Sequence, residues 1–148
     1  MEQDSPEQGL INMMRRIYTE TVVEHVLSPR NFGNLPGADG YGTIATPGGD
    51  TVRFWLRVKD DLVTDASFWT NACAATIASL SMATDLTRGK TPADALAISQ
   101  QDVLEALGGL PEGNMHCAGL AVSVLREAVK DYLVMKREPW KRSYRKYV

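Results

Sequence analysis

Residues 51–70 constrain the fold more than any other stretch of this chain. From Thr51 to Lys59 the side chains alternate, with Val52, Phe54, Leu56 and Val58 on one set and Arg53, Trp55, Arg57 and Lys59 on the other. A period of two sends the sets to opposite faces, which predicts a half-buried antiparallel strand. Asp60-Asp61 supplies a turn, and Leu62 to Thr70 returns with Leu62, Ala66 and Phe68 in step with the partner's inner face. Tyr41 to Thr46, stopped by Thr46-Pro47-Gly48-Gly49, adds a third strand. The expected sheet is a three-stranded meander with one apolar face to cover.

The remaining periodic segments are helical. From Ile11 to Leu27 the apolar positions Met14, Ile17, Val22 and Val26 predict one amphipathic helix, ended by Ser28-Pro29 because a residue before proline avoids helical angles. Residues 1–10 carry no pattern and are expected to be a flexible terminus. Ala74 to Arg88 predicts a helix with Gly89 as its stop. Thr91-Pro92-Ala93-Asp94 and Ser99-Gln100-Gln101-Asp102 read as capped starts of two short helices. A long run from Leu120 to Val134 places Ala121, Leu125, Ala128 and Tyr132 at intervals of three and four, with its start near Asn114 or Met115. His25 lies within the first helix and reads as an ordinary packed or surface residue.

The chain has 148 residues, enough for one core, so a single domain spanning 1–148 is expected, with 136–148 as a basic and aromatic tail. That tail holds Lys136, Arg137, Lys141, Arg142, Arg145 and Lys146 among Trp140, Tyr144 and Tyr147, and docking on the domain or on a protein is its expected use. A net charge of -2 gives no electrostatic reason to expect nucleic acid or an anionic membrane as partner. No apolar run approaches the roughly 18 residues of a membrane span. The start Met1-Glu2-Gln3-Asp4 lacks the basic and apolar regions of a secretory signal, so a cytoplasmic location is expected.

Both cysteines fall where a helix begins, Cys73 ahead of Ala74 and Cys117 in Asn114-Met115-His116-Cys117-Ala118-Gly119. A thiol there meets unpaired N–H groups and the positive end of the helix dipole, both of which favour the thiolate that binds metals and attacks sulfur. The plainer alternative is a pair of buried packing cysteines. Asp50, at the mouth of a strand, and His116 complete a set of candidate ligands that all sit at element ends. Two thiolates, an imidazole and a carboxylate at one rim of the fold suit zinc or iron.

At this point the chain resembles the iron-sulfur cluster assembly scaffold family, the IscU, SufU and NifU amino-terminal domain group, from about Tyr18 to Tyr132. The resemblance rests on His25-Val26-Leu27-Ser28-Pro29-Arg30-Asn31-Phe32-Gly33, Gly49-Asp50, Ala72-Cys73-Ala74-Ala75-Thr76-Ile77-Ala78-Ser79-Leu80-Ser81, Arg88-Gly89-Lys90 and His116-Cys117-Ala118. It implies an α+β domain, a small antiparallel sheet covered by helices. It also implies a surface site where a cysteine desulfurase delivers sulfur, with Cys117 as acceptor, and where Asp50, Cys73, His116 and Cys117 hold iron or a labile [2Fe-2S] cluster for apo iron-sulfur client proteins. No enzyme activity of its own follows. In the family a cysteine lies two residues before the aspartate, and here that position is Gly48. Three thiolates become two, which opens a second expectation: a zinc- or iron-binding module that regulates a desulfurase without building clusters. The segment Leu110-Pro111-Glu112-Gly113-Asn114-Met115 also departs from the family's chaperone-binding Leu-Pro-Pro-Val-Lys.

Overall fold

The computed structural model describes residues 5–144. The sheet is an antiparallel meander of β1 (Gly40–Ala45), β2 (Thr51–Lys59) and β3 (Leu62–Thr70) in the order β1-β2-β3. Asp60 and Asp61 both take positive φ, 52° and 60°, the mirror-image turn whose twist matches that of a hairpin. Val52, Phe54 and Leu56 pair with Thr70, Phe68 and Ala66 and face the core as the alternation predicts.

Two details differ from the expectation. The register shifts between Arg57 and Val58, so Val58 pairs with Val63, which is buried, while Leu62 turns outward and is 44% exposed. An irregularity of one residue exchanges the faces beyond it. Trp55 is buried although it lies on the polar face, because Tyr41 packs on it with ring centroids 5.6 Å apart.

The expected first helix is two. α1 (Pro6–Ile17) begins earlier than the patternless terminus suggested, since Ser5 Oγ accepts from Gln8 N–H and proline occupies the first turn. Tyr18 is extended, and α2 (Glu20–Leu27) restarts with Thr19 as cap. The Thr19 hydroxyl accepts from Val22 N–H and donates to Leu107 O at 2.6 Å, tying the break to another helix. α1 itself buries no residue.

α3 (Ala74–Thr87), α4 (Pro92–Leu96), α5 (Gln100–Leu107) and α6 (Met115–Arg137) follow. Ser99 and Asp102 form the reciprocal cap of α5, and Gly108 closes it in the left-handed conformation. α3 and α6 lie side by side on the inner face of the sheet, α3 against β3 and α6 against β1 and β2. Their shared core contains Phe54, Leu56, Phe68, Leu80, Val124 and Leu125, all at most 1% exposed. α6 can lie directly on β1 because Gly40 and Gly42 have no side chains: a Cβ on Gly42 would sit 2.6 Å from Val124 O and 2.8 Å from Ala128 N.

His25 is packed as expected, 3% exposed, with Nδ1 2.7 Å from Ser81 Oγ; that hydroxyl also accepts from Arg30 N–H at 2.8 Å. A short 3-10 turn, Glu112–Asn114, leads into α6, which therefore starts before Leu120 and takes His116 and Cys117 into its first turn. Lys136 and Arg137 close α6, where cations complement the helix dipole. Pro139–Tyr144 forms a further 3-10 segment with Trp140 64% exposed, while Arg145, Lys146 and Tyr147 lie outside the described residues. No described helix is long and apolar enough to cross a membrane.

Candidate functional site

The two thiols meet because α3 and α6 run side by side from the same end of the sheet. Cys73 is the cap residue of α3, at the exit of β3, and Cys117 is the third residue of α6. Between them opens a cavity of about 400 Å³ lined by Thr46, Pro47, Gly48, Asp50, Ala72, Cys73, Thr76, His116, Cys117 and Leu120. The four expected ligands, distant in sequence, thus border a single depression. Its third wall is the β1–β2 loop, whose shape is set by Thr46: its Oγ1 accepts from Asp50 N–H and its carbonyl from Gly49 N–H.

The ligands are not drawn up around a common point. Among the described residues no three of the His, Cys, Asp or Glu side chains are grouped closely enough to hold an ion. A metal held by all four would need Asp50 and His116, both of which have solvent access, turned toward the sulfurs. His116 Nε2 is already 3.7 Å from Cys117 Sγ.

The sulfurs differ in chemistry. Cys73 is exposed, whereas Cys117 is 1% exposed. Partial burial pushes the Cys73 thiol up, but the Thr76 N–H and hydroxyl, the Cys117 thiol and the Ala75 N–H together outweigh it, so its pKa falls below the ordinary 9.0. Burial dominates at Cys117, and although hydrogen bonds from Thr76 and Asn114 pull the other way, its pKa rises above 9.0, with the negative charge of Cys73 adding to the rise. The surroundings thus favour the thiolate at Cys73 and oppose it at Cys117.

Two neighbours carried no readable signal in the sequence. Thr76, 2% exposed, brings Oγ1 to 3.6 Å from Cys73 Sγ. Tyr18, at the break between α1 and α2, has its phenol pKa raised, chiefly by burial and then by the charges of Cys73 and Cys117. A threonine three residues after a helix cap was the one available hint of the first. Ala72, just ahead of α3, borders the cavity, while Ala75, Ala78 and Ser79 within it are completely buried and pack the helix.

Residues 17–138 match the profile described as NifU-like N terminal domain. The chain belongs to the NifU-like N-terminal domain family. Relatives of this NifU-like domain include iron-sulfur cluster assembly scaffold protein IscU 1 of Archaeoglobus fulgidus, 46% identical over 117 residues, 78% of this chain and 76% of that one. The iron-sulfur cluster assembly scaffold protein IscU of Aquifex aeolicus is 40% identical over 120 residues, 79% of this chain and 76% of that one. The fold is shared with a nitrogen-fixing NifU-like protein (N-terminal) from Brucella abortus, at a TM-score of 0.62 and 22% identity, covering 82% of this chain and 98% of that one. The α+β architecture expected from the resemblance, a three-stranded antiparallel sheet packed against helices, is thus the family's.

Proposed function

We propose that this NifU-like domain is an iron-sulfur cluster assembly scaffold whose cargo, iron or a labile [2Fe-2S] cluster, is held by Asp50, Cys73, His116 and Cys117. The carrying observation is that all four border one open cavity at the shared end of α3 and α6. A [2Fe-2S] unit takes four terminal ligands, and imidazole can replace thiolate at iron. With Gly48 in the loop, this chain offers two sulfurs, one nitrogen and one carboxylate, a set that holds its cargo less firmly than three thiolates and so favours release.

Sulfur arrives from a cysteine desulfurase as a persulfide. A thiolate of the scaffold attacks its outer sulfur, the sulfur–sulfur bond of the donor breaks, and the electron pair leaves with the donor's thiolate. Accessibility and charge favour Cys73 for the first contact. The acceptor role expected of Cys117 is then filled by a second exchange of the same kind inside the pair. The chain supplies ligands and nucleophiles, and the finished cluster passes to apo iron-sulfur proteins by ligand exchange.

Anaerobic reconstitution with iron and sulfide tests the proposal. The expected result is a visible cluster spectrum with matching iron and sulfide content, lost in both Cys73→Ala and Cys117→Ala. One tightly held zinc per chain, with no cluster formed under any loading, would refute assembly and leave a regulatory metal-binding module.

A further inference from the structure

α3 buries the hydroxyls of Thr76, Ser79, Ser81, Thr84 and Thr87, and three of the five turn back on the helix. Ser79 donates to Ala75 O, Thr84 to Ser81 O and Thr87 to Ala83 O, each at 2.7 Å. This is the usual way for a serine or threonine inside a helix to satisfy its hydroxyl. Ser81 Oγ instead meets His25 Nδ1 and accepts from Arg30 N–H, and Thr76 is the one that turns to sulfur. Four residues before it stands Ala72, which precedes the helix, and the carbonyl three back, Cys73 O, already accepts from the N–H groups of Thr76 and Ile77.

Instead Thr76 Oγ1 lies 3.6 Å from Cys73 Sγ, and the Cys117 sulfur borders the same cavity. The residue is 2% exposed and lines the cavity, so water does not compete for that hydroxyl. Most buried hydroxyls find a partner. Here the partner is the Cys73 sulfur. As a thiolate or an iron ligand that sulfur has no proton to give, so the hydroxyl is the donor.

We propose that the Thr76 hydroxyl is a hydrogen-bond donor to the Cys73 sulfur, a positioning residue that sets how much charge that sulfur gives to the iron it holds. The inference rests on the ligand assignment made above. A hydrogen bond to a coordinating sulfur withdraws charge from it and raises the potential of the attached metal, and the groups one shell out from a metal are where such tuning resides. A cavity with two sulfurs depends on each of them more than one with three.

Thr76→Val removes the hydroxyl and keeps the shape, while Thr76→Ser keeps the hydroxyl. The first readout is the sulfur-to-metal charge-transfer band of protein loaded with Co(II). The second is the reduction potential of the cluster reconstituted from iron and sulfide. In Thr76→Val the cobalt band moves to lower energy, and the ratio of reduced to oxidised cluster at a fixed poise falls about tenfold, equivalent to ~59 mV for one electron. Thr76→Ser matches the wild type in both. If Thr76→Val does not fold, Thr76→Ala against Thr76→Ser makes the same comparison, the pair differing only in the oxygen.

Unchanged band and potential on loss of the hydroxyl, in protein that still takes up metal, overturn the role of Thr76 and leave the ligand set standing. A wild type that shows neither a cobalt–thiolate band nor a cluster overturns the ligand set, and the role of Thr76 with it.

Discussion

Replacing Gly42 with alanine adds a methyl group where α6 leaves no room. The new Cβ would lie 2.6 Å from Val124 O, 2.8 Å from Ala128 N and 2.9 Å from Glu127 Cβ. Two of these neighbours are helix backbone, which cannot rotate away as a side chain would. Ordinary contact needs 3.4 Å or more, so α6 must retreat from β1 by a large fraction of an ångström. The retreat loosens Val124, Leu125 and Ala128, all completely buried between sheet and helix. Overpacking a core typically costs ~1–3 kcal/mol, and an unyielding obstacle places Gly42→Ala at about 3 kcal/mol. For a domain of this size that lowers the melting temperature by about 10 °C. Thermal and urea unfolding followed by circular dichroism measure it, with Gly113→Ala, whose added methyl would meet nothing within 4 Å, as control. The first turn of α6 carries His116 and Cys117, so the same displacement should make Cys117 more reactive to iodoacetamide. A Gly42→Ala protein as stable as the control would refute the direct seating of α6 on β1.

Four further outcomes follow from the geometry. In the metal-free protein near neutral pH, iodoacetamide labels Cys73 before Cys117, read by peptide mass spectrometry; equal rates would contradict the contrast in exposure and thiolate character. Gly48→Cys finds open space, its Cβ meeting only Thr46 Oγ1 at 3.9 Å, and should lengthen cluster retention at least about tenfold, since even groups one shell out change metal affinity by 10- to 100-fold. Thr19→Ala removes both a cap and a tie to Leu107 O and should cost about 2 kcal/mol in urea unfolding, while Thr19→Ser restores most of it. Burial, helped by the Arg30 guanidinium, holds the His25 imidazole below its ordinary 6.5 against the opposing pull of Asp85 and Glu24. The unfolded chain then takes up that proton first, so stability is full above 6.5 and falls as the pH drops below it; urea melts of His25→Gln should be flatter over that range.

The hairpin was legible because alternation over Thr51–Lys59 admits one face inward, and its two departures come from contacts no local pattern encodes. Tyr41 covers Trp55 from another strand, and the irregularity at Val58 turns Leu62 out and Val63 in. The break between α1 and α2 carries neither glycine nor proline; an extended Tyr18 and a capping Thr19 make it, and an unbroken series of apolar residues hides it. At the site, Cys73 and Cys117 announced themselves by preceding helical runs, and Asp50 and His116 by standing at element ends. Tyr18 did not, because only the turn at Thr19 brings it near the sulfurs, and Thr76 offered no more than its place three residues after a helix cap. Gly40 and Gly42 likewise looked like ordinary strand glycines until the approach of α6 gave them a purpose.

Iron K-edge X-ray absorption on protein loaded anaerobically with iron and sulfide tests most directly whether Asp50, Cys73, His116 and Cys117 serve one cargo. The expected first shell is mixed, sulfur with nitrogen or oxygen; Cys73→Ala and Cys117→Ala each reduce its sulfur component, and His116→Ala removes the imidazole scattering beyond it. A shell unaltered by all three substitutions, or one made of oxygen alone, would contradict the assignment of the site.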